Sequence, residues 1–176
     1  MYKIVDDVKM WSTVNEKFKK YPARKAVAFK MLELGLRVDK DSKIYCGDLK
    51  ISDSALAKSV DVDRRVIKST INVILKDEEL FNIFGNIMPA GTLLKNIAQN
   101  LGLGVIEIEV GQSNQGVLAA VALVASNRGI DIRQAYASDN HSNESPVLTL
   151  ITNDPVPSSS IKEFLEVEGV IKVSIY

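Results

Sequence analysis

Residues 105–129 read VIEIEVGQSNQGVLAAVALVASNRG, and a change of period inside that stretch decides the fold. Ile106, Ile108 and Val110 alternate with Glu107 and Glu109, the two-residue period of a strand with one buried face and one wet face. Gly111-Gln112-Ser113-Asn114 is turn-forming. From Gln115 to Arg128, alanine, valine and leucine then run as a helix that Gly129 ends. Downstream, Ile130 to Ala137 and Val147 to Thr152 read as two more strands, with Ser138 to Ser145 as the polar hairpin loop between them. Ser160 and Glu163 have the spacing of a capping box for a short helix stopped at Gly169, and Ile171, Val173 and Ile175 alternate in a last strand. The predicted order is βαββαβ, with both helices on one face of an antiparallel sheet.

Upstream the period is helical. Ile4, Val8, Trp11, Phe18 and Tyr21 form one amphipathic stripe, and Pro22 closes that helix and opens the next, which carries Val27, Met31, Leu32, Leu34 and Leu36. Ile44-Tyr45-Cys46 is read as either a short strand or an irregular link. Gly85, Pro89 and Gly91 mark a boundary between two parts. The expected organisation is therefore α+β: an all-α helix-turn-helix domain at 1–88, a linker helix at 89–103 carrying Leu93, Leu94, Ile97, Ala98 and Leu101, and the βαββαβ module at 104–176.

The stretch LAKSVDVDRRVIKSTI, Leu56 to Ile71, places a small residue, Ala57, where two helices would cross. Val62 follows the turn, and Val66 or Ile67, with Ile71, take the positions expected to face inward. Ser52 or Asp53 can cap the first helix and Asp63 the second. Arg64, Arg65, Lys68 and Ser69 then stand near the exposed start of the second helix, where side chains meet base edges or phosphates. This stretch resembles the bacterial and archaeal helix-turn-helix family, with Asp61 at a turn position where glycine is frequent. Asp53, Asp61 and Asp63 place negative charge beside the candidate DNA face. A helical pair used only for packing or dimer contacts is the alternative.

The turn Ser113-Asn114-Gln115-Gly116-Val117-Leu118 opens the helix of the quoted stretch. Free N–H groups and the positive end of a helix dipole form a site for an anion such as an amino-acid carboxylate, and Gly116 without a Cβ allows close approach. Residues 104–176 resemble the ACT domain, the amino-acid-binding module of biosynthetic enzymes and regulators, through QSNQGVL at the first turn and GVIKVSI at the last strand. Asn114 and Gln115 stand where that family often has an acid and a proline. The resemblance implies side-by-side pairing of two copies, with the ligand between the first turn of one copy and an early strand of its neighbour, here Asp131, Ile132 and Arg133. An exposed sheet edge also argues for pairing. A module that only dimerises is the alternative.

The chain has 176 residues, 46% hydrophobic and 25% charged, values of a globular protein. No apolar run is long enough for a transmembrane helix, the N-terminus lacks the pattern of a signal peptide, and Cys46 is the single cysteine; a cytoplasmic protein with no membrane partner is expected. The net charge of zero conceals an excess of Lys and Arg in the front half and of Asp and Glu in the rear half, a weak pointer to nucleic acid at the front. No metal site is expected, since His141 is alone in a polar loop. No nucleotide-binding loop or nucleophile with its base is found, so neither a cofactor nor catalysis is expected.

Together, a helix-turn-helix in front and an ACT-like module behind resemble archaeal predicted regulators of amino-acid metabolism. That resemblance implies a dimeric DNA-binding regulator with an amino-acid effector. Leucine-responsive regulators share the combination, but here about fifty residues precede Leu56, more than in that group. Two other classes are open: a regulatory subunit that binds an amino-acid biosynthetic enzyme without touching DNA, and a chorismate mutase fused to an ACT domain. The second needs long helices, and Pro22, Gly35 and Gly47 interrupt the front half.

Overall fold

The computed structural model describes residues 9–111, 115–138 and 145–176. Two compact units divide between Gly91 and Thr92.

The first unit runs α1 (Lys9–Phe18), α2 (Pro22–Glu33), β1 (Leu36–Val38), β2 (Ile44–Cys46), β3 (Leu49–Ile51), α3 (Asp53–Ser59), α4 (Arg64–Lys76) and α5 (Glu78–Phe84). Val14 and Phe18 from α1, Met31 from α2, Ile67 and Ile74 from α4 and Phe84 from α5 meet in one fully buried core. Tyr21 does not belong to that stripe and is 51% exposed. α1 stops at Phe18, the Tyr21 amide donates to the Phe18 carbonyl at 2.9 Å, and the chain turns away before the next helical repeat. Val14 fills the inward position instead. The unit is not all-α, because β1, β2 and β3 form an antiparallel sheet in that order. Arg37 lies opposite Tyr45 across the first pair, its guanidinium 4.4 Å from the ring centre, a cation–π contact. Strands of three residues are too short for period-2 alternation to reveal them. Gly35 has φ +62, and a Cβ there would lie 2.7 Å from the backbone of Pro89, so both conformation and space demand glycine.

The second unit contains β4 (Gly104–Val110), α6 (Val117–Asn127), β5 (Ile132–Ser138), β6 (Val147–Thr152), α7 (Ile161–Leu165) and β7 (Val170–Ile175). The sheet order is β5-β6-β4-β7, with every neighbouring pair antiparallel. This is the ferredoxin-like βαββαβ arrangement. Ile106, Ile108 and Val110 of β4 pack with Val117, Val121 and Ala125 of α6 and Phe164 of α7. The opposite face is covered where Leu94, Ala98 and Leu103 meet Val105 and Ile151.

Residues 92–103 differ from the predicted linker helix. They form two 3-10 turns, Lys95–Ile97 and Gln99–Leu101. The Gln134 side chain accepts from the Leu94 amide at 3.0 Å and donates to the Thr92 carbonyl at 2.9 Å, fixing the start of the segment against β5. The capping box at Ser160 does not form either. Ser160 ends a 3-10 turn with its side chain uncommitted to the cap, and the Glu163 carboxylate pairs with Arg128 instead.

Candidate nucleic-acid and effector sites

The α3–α4 pair is held by its own side chains. Ser52 Oγ accepts from the Ala55 amide at 3.1 Å and caps α3, and Asp63 Oδ1 accepts from the Arg65 amide at 2.7 Å and caps α4. Between them Asp61 takes φ +52, which aspartate tolerates better than most residues, and the Val62 amide donates to the Ala57 carbonyl at 3.0 Å. α4 buries Ile67, Thr70, Ile71 and Ile74, and the Thr70 hydroxyl donates to the Val66 carbonyl at 2.8 Å, so no polar group is stranded.

The other side of α4 presents Arg65, Lys68, Asn72 and Lys76, all exposed and spaced by three or four residues along one face. Asn72 and Lys76 extend the face beyond the helix start where the sequence pattern centres it, and their spacing from Arg65 and Lys68 is the signal that includes them. Arg64 points elsewhere: its Nε lies 3.5 Å from Asp53 Oδ2. Ser69 is half-buried, with its hydroxyl donating to the Val66 carbonyl at 3.0 Å and accepting from Arg24 Nε at 3.1 Å. Arg24 in turn sits 4.6 Å above the ring of Tyr21.

Of the candidate effector residues, Ser113 and Asn114 lie outside the described residues. Gln115 and Gly116 are exposed, Gly116 has φ +81, and a Cβ there would meet nothing within 4 Å. The glycine thus serves the left-handed backbone and leaves open space above it. No described side chain caps α6, whose first N–H groups follow directly. Val117 is buried in the core, and Leu118 is half-exposed beside it. Asp131 pairs with the Asn153 amide, Arg133 Nη1 donates to Asn153 Oδ1 at 3.3 Å, and Ile132 packs on the core.

Within one chain these two groups do not meet. Ile132 and Gly104 both pair with Thr152, at the start of β4, whereas the Gly116 turn follows Val110 at its end. The rise of a strand separates them by about 20 Å.

Resolved proton equilibria lie elsewhere. Lys17 Nζ donates to Asp77 Oδ2 at 2.6 Å, which raises the lysine and, by the same bond, lowers the aspartate. The bond to Glu109 at 2.7 Å raises Lys172. Among the described residues no cluster of three or more His, Cys, Asp or Glu could hold a metal ion, and no helix is long and apolar enough to cross a membrane. His141 lies outside the described residues.

No protein-family model and no curated protein matches the chain. Among solved structures, the ACT domain of GTP pyrophosphokinase from Chlorobium tepidum is 21% identical, over 42% of this chain and 96% of that one, with a TM-score of 0.33. E. coli AsnC is 10% identical over 88% and 89% of the two chains, TM-score 0.26. A transcriptional regulator in complex with L-Met from Neisseria meningitidis is 11% identical over 88% and 86%, TM-score 0.27. The strand order β5-β6-β4-β7 and its antiparallel registers define the fold of the second unit.

Proposed function

We propose that this chain is a DNA-binding regulator whose second unit takes a small amino acid as effector. The observation that carries the reading is the α3–α4 pair, capped at both helix starts and presenting Arg65, Lys68, Asn72 and Lys76 on the face of α4 turned from the core. Cationic and amide side chains in a row on one helix face are the groups that bind phosphates and read base edges in a major groove. The effector reading rests on the Gly116 turn, flanked in sequence by Ser113, Asn114, Gln115 and Leu118, and on the first N–H groups of α6, which no described side chain caps. A carboxylate is the ligand chemistry such a turn accepts. Since Asp131, Ile132 and Arg133 lie at the far end of the same sheet, the reading includes a homodimer in which a second copy supplies them. Selection of genomic fragments by the full chain, followed by gel shift with and without the amino acids, tests it. A specific duplex lost on Arg65→Ala/Lys68→Ala supports the proposal, and no specific duplex under any condition refutes it.

One observation favours a second reading. Asp53, Asp61 and Asp63 surround the start of α4 and offset Arg64, Arg65 and Lys68 in charge, which suits a protein partner better than a polyanion. In that reading the chain is a regulatory subunit of an amino-acid biosynthetic enzyme, and a stable enzyme co-purifies from native extract.

A further inference from the structure

The cations at the start of α4 are opposed by as many acids, but a second group of cations in the same unit is not. From Lys17 to Leu32 the sequence KFKKYPARKAVAFKML contains six Lys or Arg and no Asp or Glu. Lys17 is held by Asp77 and Lys30 by Glu33. Among the described residues, Lys19, Lys20, Arg24 and Lys25 have no carboxylate within salt-bridge distance. All four lie at the corner where α1 turns into α2, and Lys19 and Lys20 are exposed there. Arg24 is oriented by the Tyr21 ring at 4.6 Å and Ser69 Oγ at 3.1 Å, and Lys25 Nζ lies 5.3 Å from the centre of the Phe29 ring. That hydrogen bond to Ser69 joins the corner to α4, because Ser69 is the neighbour of Lys68 and one helical turn from Arg65, about 6 Å along the axis.

We propose that the α1–α2 corner, Lys19, Lys20, Arg24 and Lys25, is a docking surface for the phosphate backbone of duplex DNA, adjoining the reading face of α4. This rests on the DNA-binding reading and changes where its electrostatic part comes from. At physiological salt, charges are screened over about 8 Å, so the acids around Arg64 offset their own neighbours, while the corner, with Glu16 the acid adjoining it in sequence, keeps a net positive charge. A guanidinium offers planar, fixed donors suited to a phosphate, and the lysines add point charge without needing a set geometry. α4 then contributes selectivity, and the corner contributes affinity and register.

Fluorescence anisotropy of the full chain on a labelled random-sequence 30-base-pair duplex, at salt from 50 to 300 mM, tests this. Each phosphate that a variant no longer neutralises makes the slope of log K against log salt shallower by about 0.9. Lys19→Ala/Lys20→Ala is therefore expected to reduce the slope by about 2 and to weaken binding at low salt at least tenfold, with an unchanged thermal melt, because both side chains are exposed. If that variant keeps the wild-type slope while Arg65→Ala/Lys68→Ala loses affinity, the corner is not the docking surface although the DNA reading stands. If wild type binds no duplex, both fall. Equal affinity for poly-glutamate, with the same loss in the lysine variant, assigns the corner to an acidic protein surface and overturns the DNA assignment.

Discussion

Among the described residues, the turns at Asp61 and Gly116 lead into helices through a residue of positive φ, and they are finished differently. At Asp61 the following helix is capped two residues later by Asp63, and the preceding one begins on Ser52. At Gly116 the left-handed residue itself opens α6, and no described side chain accepts from its first N–H groups. The first turn satisfies its polar groups internally, as a scaffold that presents other residues must. At the second, no described side chain takes up those donors, the arrangement a binding turn requires. Composition differs in the same sense: Val117–Asn127 contains no charged residue, whereas Arg64–Lys76 keeps one apolar face and one cationic face.

The comparison breaks most visibly in the core beneath the first turn. Ile67→Ala, at a position with no exposure, is expected to cost about 2–5 kcal/mol in chemical denaturation. If the helix pair is a loose surface element instead, the loss stays below that range. Gly116→Ala comes next. Its Cβ has free space, so the cost is conformational alone, about 1–2 kcal/mol for a left-handed L residue. The same variant should lose the thermal shift given by an amino acid. A melt lowered to that extent with the ligand shift intact would place the effector elsewhere.

The caps provide a finer contrast. Asp63→Ala should destabilise by about 1 kcal/mol, because it removes the acceptor for the Arg65 amide. Gln115→Ala should stay within about 0.5 kcal/mol, because it caps nothing. Equal losses at the two positions would erase the distinction between a closed and an open turn.

The smallest effect is on pH dependence and lies at the α4–α5 junction. Asp77 is held below the ordinary aspartate range, chiefly by the hydrogen bond from Lys17. Its contribution to stability is complete above the unfolded value and disappears as pH falls through the lowered folded one. Lys17 is raised, so its contribution is complete below the ordinary lysine value and is lost as pH rises through the raised one. Asp77→Asn should therefore lower the urea midpoint at neutral pH and meet the wild-type value in acid, which flattens the acid limb. An unchanged acid limb would show the pair contributes nothing.

The sequence already held the strands of the second unit, because Ile106, Ile108 and Val110 alternate with glutamates that the structure leaves half-exposed. The caps at Ser52 and Asp63 were legible for the same reason, since their partners lie within three residues. What was not legible depended on distant partners. Leu93, Leu94, Ile97, Ala98 and Leu101 have helical spacing, yet the segment forms two 3-10 turns, and Gln134, forty residues beyond Leu94, holds its start through the Leu94 amide and the Thr92 carbonyl. Glu163 has the capping-box position but is drawn to Arg128, thirty-five residues earlier. Arg24 joined the candidate DNA face only through Ser69, a hydrogen bond across forty-five residues. The candidate effector groups, adjacent in a family likeness, turn out to be at opposite ends of one sheet. In the proposed homodimer a second copy would bring them together.

The central claim is that an amino acid on the second unit alters DNA binding by the first. It is tested most directly by measuring the affinity of the full chain for its selected duplex at fixed salt, with and without the amino acid that raises its melting temperature. Coupling of the ordinary allosteric size predicts a change of about 5- to 150-fold, abolished by Gly116→Ala while the basal affinity remains. An affinity that is the same with and without a bound amino acid would contradict the account.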